Sequence, residues 1–290
     1  MLNILTALQP EARPVIDALH LKKRSDIHGF PIFVSQDVTL IISGIGKQAA
    51  AAATAFLHGL QHGVTRQITQ DNTSSAWLNI GIAGSADFAL EQDMLAHKIT
   101  EQSNGATFYP TFCFEIPCAS AEIITVDRPV TEYPCAEPIT SSSPQSHKQA
   151  FDMEASAFFS TATRFTSAEL VQCYKVISDT PENPAHTVNA AIASEMIAAK
   201  LATIKQLIVQ LQELENSSPS THQMLAVFNH VMKTHRLSVT QQHQLQRLLQ
   251  RWALFTDKPL FDSIDLVTCR STKRLIETIE QHIDAFPIVL

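Results

Sequence analysis

The chain carries little charge, and neither sign dominates strongly. Only 17% of its 290 residues are charged, against about 25% in an average soluble domain. Asp and Glu (28) outnumber Lys and Arg (21), a net charge of −7, which argues against nucleic acid as the main partner. Cysteine is sparse. Cys113, Cys118, Cys135, Cys173 and Cys269 form no C-x-x-C pair, so neither a disulfide framework nor a zinc site is expected. No apolar run approaches the roughly 18–20 residues that span a bilayer, and no membrane partner is expected. The opening MLNILTALQPEARP lacks the basic region of a secretory signal, which points to the cytoplasm. There is no G-x-S-x-G elbow for a serine nucleophile. His58 and His62 stand four apart without a third ligand, so no metal is expected either.

What is present is apolar (45% hydrophobic) and long enough for one large domain or two small ones. Short β-like runs at Asn3–Leu8, Ile32–Ser35, Val38–Ser43, Trp77–Ile80, Met94–Ile99, Glu122–Val126 and Leu170–Ser178 alternate with helical stretches. The helical stretches are Glu11–Leu19, Lys47–Leu60, Met153–Arg164 and a long one, Ala190–Leu214. That order predicts an α/β fold, with a central mixed sheet flanked by helices. Gly63–Ala76 and Pro134–Ser146 read as polar surface loops. Asn216-Ser217-Ser218-Pro219 reads as a linker dividing a domain at 1–215 from a mostly helical C-terminal extension at 216–290. The charge changes there too, from 13 basic and 22 acidic residues to 8 and 6. In the extension, Ser220 with Gln223 and Ser238 with Gln241 fit the S-x-x-Q capping box. Leu245, Leu248, Leu249, Trp252 and Phe255 form a stripe at helical spacing, read as packing.

Gly44-Ile45-Gly46-Lys47-Gln48-Ala49 formally fits a dinucleotide fingerprint, but where a second strand should close on an acidic residue stands the polar segment around Gln61–Asp71. It reads instead as a tight turn into a helix that lines a site. Three acidic residues stand where ligands bind in such sheets. Glu11 follows the first strand, Glu154 opens a helix, and Asp179 ends the strand Leu170–Ser178.

Five segments in order resemble the nucleoside phosphorylase/nucleosidase superfamily, in particular the 5′-methylthioadenosine/S-adenosylhomocysteine nucleosidases. They are Ile4-Leu5-Thr6-Ala7-Leu8-Gln9-Pro10-Glu11, Ser43-Gly44-Ile45-Gly46-Lys47, Asn79-Ile80-Gly81-Ile82-Ala83-Gly84-Ser85, Asp152-Met153-Glu154-Ala155-Ser156-Ala157 and Ile177-Ser178-Asp179. The resemblance covers about residues 2–212; the extension has no counterpart in it.

The resemblance implies that Glu11 is the general base for an attacking water. It implies that Met153 and Glu154 hold the ribose, and that Asp179, steered by Ser178, donates to purine N7. Ile45, Gly46, Ala83 and Gly84 would complete the binding site. The family's purine-stacking aromatic is replaced within Val126-Asp127-Arg128-Pro129-Val130, and its later aromatic falls near Asn189. Phe108, beside Tyr109, would supply apolar surface in exchange. For Asp179 to act as an acid at neutral pH, burial would have to raise its pKa. The implied activity is hydrolysis of an adenosine-type nucleoside without a cofactor, by a homodimer whose partner is a small-molecule purine nucleoside. Two alternatives remain open: phosphorolysis on the same fold, with Arg13 or Arg128 meeting phosphate, and a nucleoside-binding or assembly protein with a degraded site.

Overall fold

Leu2–Thr6 (β1) and Val38–Ile42 (β4) are buried at every position, as expected of parallel strands covered on both faces. The computed structural model describes residues 1–62, 75–130, 133, 148–216, 227–228, 230–255, 260 and 271–285. Between these strands lie α1 (Gln9–Ala18), β2 (Lys22–Lys23) and β3 (Ile32–Val34). After them come α2 (Lys47–His62), β5 (Ala76–Gly84), β6 (Asp93–Glu101), β7 (Thr107–Phe108), β8 (Ala119–Thr125) and β9 (Gln149–Asp152). Then follow α3 (Ala155–Ala162), β10 (Val171–Asp179), α4 (Ala190–Ala199) and α5 (Leu201–Asn216).

The ten strands form one mixed sheet in the order β10-β6-β8-β9-β5-β1-β4-β3-β2, with β7 on β6. β10 also pairs with β5 in parallel, so β5, β10, β6, β8 and β9 close into a ring. Three apolar clusters pack among the described residues of this part of the chain, a small one around Phe88, Met94 and Ile177 and two larger ones. One gathers Leu2, Ile4, Val15 and Leu40 with Ile197, Ile204 and Leu207; the other gathers Leu5, Ile41, Ala53, Leu57 and Trp77 with Phe158. Helices flanking a central mixed sheet is the architecture expected from the sequence.

The chain divides into two compact units, the larger comprising Met1–Gln61 and Ser74–Glu215. In the smaller unit, residues 230–234 are helical, followed by α6 (Val239–Phe255) and α7 (Thr272–Asp284). Leu245, Leu248, Leu249 and Trp252 are buried with Leu275, Ile279 and Ile283, so the stripe is packing within this unit. The capping box at Ser238 forms in both directions: Gln241 N–H donates to Ser238 Oγ (3.3 Å), and Ser238 N–H to Gln241 Oε1 (3.0 Å). No helix among the described residues is long and apolar enough to cross a membrane.

The long helix expected over Ala190–Leu214 is two helices. At Lys200 (φ −105°, ψ 10°) the backbone N–H bonds to the carbonyl three residues back, at Ile197, and its side chain reaches Asp93 (3.4 Å). No Gly or Pro marks this break, so periodicity runs through it. Strand β9 was not expected, and helix α3 begins at Ala155 rather than Met153 because Met153 and Glu154 form the turn that enters it. Of Gly63–Ala76, Ala76 opens β5 as a buried residue and 63–74 lie outside the described residues. Pro134–Ser146, the linker beyond Asn216, the Ser220 capping box and the Phe255 side chain also lie outside them.

Candidate active site

The β1–α1 turn, the end of β5, the β9–α3 turn and the end of β10 meet around a cavity of about 460 Å³, which Ile45, Val126, Val130, Val188 and Asn189 help to line. The first segment places Glu11. Its position in the first turn of α1 lets it accept from the Ala7 and Leu8 N–H groups (3.0 and 2.8 Å), which would otherwise lack helical partners. Its other oxygen accepts from Ile82 N–H at 3.1 Å, tying α1 to β5. Glu11 is 3% exposed. Burial pushes its carboxyl above the usual range, while Lys175 and the three N–H donors pull against that rise.

The β9–α3 turn is built by Asp152. Its Oδ2 accepts from the N–H groups of Glu154 (3.2 Å) and Ala155 (2.8 Å), and its Oδ1 from Thr125 Oγ1 (2.8 Å). This holds Glu154 at the mouth of α3, where Glu154 Oε1 accepts from Gly46 N–H at 2.8 Å. Gly44 and Gly46 have φ of +86° and +99°, a region that favours glycine, so the tight turn has a physical basis. Burial pushes the Glu154 carboxyl up to about 7, with Asp152 and Glu11 adding to the rise and Lys175 opposing it.

Lys175 lies within β10 and is 1% exposed. Its ammonium sits 2.8 Å from Asp152 Oδ2 and 4.0 Å from Glu154 Oε2. A Cβ at Gly81 would come within 3.2 Å of both Glu11 Oε1 and Lys175 Nζ, so the absence of a side chain there makes room for the two groups. Burial alone would pull the lysine down, but Asp152 and Glu154 outweigh it and hold it charged. One buried cation therefore faces three buried carboxyls.

Asp179 occupies the end of β10, where the pairing with β5 shifts register beside Gly84. Ser178 Oγ donates to Asp179 Oδ1 at 2.5 Å, and the Tyr133 hydroxyl donates to Oδ2. Glu11, Glu154, Asp179, Ser178, Met153, Ile45, Ala83 and Gly84 all line the cavity, so eight of the ten residues named from the sequence come together. Gly46 reaches the site through its N–H on Glu154 rather than by lining it. Phe108 is a correction. Its ring packs against Phe159 (5.9 Å between centroids) on the pairing of β7 with β6, and it does not line the cavity. Neither does Tyr109, which is 66% exposed. Apolar lining comes instead from Leu8, Val126, Val130 and Val188, among others. Asn189 lines the cavity while its Oδ1 caps α4, accepting from Ala191 and Ile192 N–H.

Sequence reasoning missed Lys175, Asp152 and Tyr133 as parts of this arrangement. A lysine inside the apolar run Val171–Ile177 was a readable signal, since a lysine is almost never fully buried unless paired. Tyr133 stands outside every motif and had no such signal. Among the described residues no group of three His, Cys, Asp or Glu could hold a metal, and His58 stacks on Phe165 at 3.8 Å.

This chain has the fold of the nucleoside phosphorylase/nucleosidase superfamily. It is similar to a 5′-methylthioadenosine/S-adenosylhomocysteine nucleosidase from Helicobacter pylori, determined with 5′-methylthioadenosine in the active site (TM-score 0.54, 14% identity, 72% of this chain and 98% of that one). It is equally similar to the futalosine hydrolase of the same organism (TM-score 0.54, 15% identity, 72% and 97%). A third structure, described as a putative nucleosidase of the first kind, comes from Francisella philomiragia (TM-score 0.51, 15% identity, 71% and 97%). No family model and no curated protein matches the sequence.

Proposed function

We propose that this protein is a purine nucleosidase that hydrolyses the N-glycosidic bond of an adenosine-type nucleoside. The observation that carries the reading is the convergence of Glu11, Glu154 and Asp179 on one cavity. Breaking this bond leaves positive charge on the sugar and negative charge on the base. Buried carboxylates near the ribose stabilise the first, and an acid at the purine relieves the second. Glu11 takes a proton from the water that attacks the anomeric carbon. Met153 and Glu154 hold the ribose, Glu154 accepting from its hydroxyls, while Lys175 keeps the carboxyl cluster from repelling itself. Asp179 supplies a proton to purine N7, with Ser178 fixing its carboxyl group. The fold shared with a methylthioadenosine nucleosidase and a futalosine hydrolase supports this reaction class.

Phosphorolysis is the weaker reading. Among the described residues no arginine or lysine lines the cavity, and three carboxyls beside the ribose position would repel a phosphate dianion. Arg13 lies on the exposed face of α1, paired with Asp17, and Arg128 is exposed. The proposal includes a homodimer, the state implied by the resemblance, which the mass of the protein in solution tests. The activity is tested with a panel of purine nucleosides, following free base. We expect release by the wild type, and in Glu11→Gln a retained nucleoside affinity with turnover lost. Absence of release from every member of the panel would refute the reading.

A further inference from the structure

Tyr133 is held at the point where the proposed reaction needs a free carboxyl. Its hydroxyl donates to Asp179 Oδ2 while Ser178 donates to Oδ1, so both oxygens of that carboxyl already accept a hydrogen bond. The ring is tilted against Phe151 (5.7 Å between centroids) and lines the cavity with Val126 and Val130. Gly84 supplies the notch that makes this possible, because a methyl group there would overlap both the Tyr133 hydroxyl and the Asp179 carboxyl. Burial and the neighbouring Asp179 both push the phenol up, so it remains a donor throughout the physiological range.

We propose that Tyr133 is a positioning residue that occupies the base end of the site in the free protein, holding the Asp179 carboxyl, and that the incoming nucleobase displaces its hydroxyl from Oδ2. The proposal rests on the nucleosidase reading for its kinetic consequence but not for the contact itself. A carboxyl with a donor already on each oxygen has no oxygen free to face the base. When the base takes the place of the phenol, Asp179 Oδ2 is free to face N7, and no group outside the protein and water is needed for the exchange. Displacing a hydrogen bond is costly, and that cost appears as a raised KM.

The test combines kinetics with NMR of the full chain carrying [13Cζ]tyrosine. Tyr133→Phe keeps the ring and removes the donor, and should lower KM for the nucleoside by about three- to tenfold, the worth of one such bond. A loss of mere structural support would not improve KM. The Tyr133 signal, assigned by its disappearance in Tyr133→Phe, should move in Asp179→Asn without any ligand, and in the wild type when adenine is added. An unchanged or raised KM in Tyr133→Phe, or a Tyr133 signal indifferent to Asp179→Asn, would overturn the proposal. Should Tyr133→Phe fail to fold, Tyr133→Leu replaces it in the kinetic arm, and the Asp179→Asn comparison of three tyrosine signals stands. If the Tyr133 signal responds to Asp179→Asn but the wild type releases no base, the nucleosidase reading fails while the contact stands.

Discussion

Glu11 and Asp179 line one cavity but are held by different kinds of donor. Glu11 accepts only from backbone, at Ala7, Leu8 and Ile82, with a buried ammonium nearby. Among the described residues, Asp179 accepts from side-chain hydroxyls alone, those of Ser178 and Tyr133. Backbone donors cannot rotate away, so Glu11 is fixed as an acceptor, which suits a base that takes a proton from water. Hydroxyls rotate and can be displaced, so Asp179 can change partner as a ligand enters, which suits an acid. The two carboxyls teach the same lesson from opposite sides: role follows the rigidity of the donor set as much as the identity of the residue.

The largest effects should come from removing either carboxyl. Glu11→Gln and Asp179→Asn should each lower turnover about 10²–10⁴-fold with the fold intact, read by initial rates and circular dichroism. Near-native turnover in Asp179→Asn would break the comparison at the base end. Next is Lys175→Met, which leaves three buried carboxyls without their cation. A loss of about 3–5 kcal/mol in urea denaturation is expected, as for breaking other buried pairs. A variant as stable as the wild type would show that the cluster is neutral without it.

The Glu154 carboxyl, pushed up to about 7 by burial first, gives a pH signature. A carboxyl raised in the folded state contributes stability that is fully present below its unfolded value, about 4.3, and is lost as pH rises through about 7. Thermal midpoints of the wild type should therefore fall across that window relative to Glu154→Gln. In the same window kcat/KM should rise, as Glu154 ionises to accept the ribose hydroxyls. The smallest effect sharpens the contrast. Ser178→Ala removes the hydroxyl that still holds Asp179 at Oδ1 once the base has displaced Tyr133, and should cost about tenfold in kcat/KM. A loss as large as that of Asp179→Asn would mean that Ser178 does more than steer.

Much of this arrangement was legible in the sequence where chemistry and chain geometry coincide. Glu11, Glu154 and Asp179 follow strand ends or open helices, and a parallel sheet brings such points to one edge. Their partners were less legible. Lys175 is far from Asp152 in sequence, and the pairings of β5 with both β10 and β9 put the two together. Phe108 was misplaced because its segment was assigned by order along the chain, whereas its two-residue strand turns the ring onto Phe159. The break at Lys200 was hidden because a single i→i−3 bond leaves no mark on apolar periodicity.

The central claim is that the fixed carboxyl, Glu11, activates water rather than tolerating phosphate. The direct measurement is the sugar product released by the wild type from an adenosine-type nucleoside, with phosphate raised from none to roughly tens of millimolar, well above a typical substrate KM. The account predicts free ribose at a rate that does not depend on phosphate. Ribose 1-phosphate as the main product, at a rate that climbs with phosphate, would contradict it.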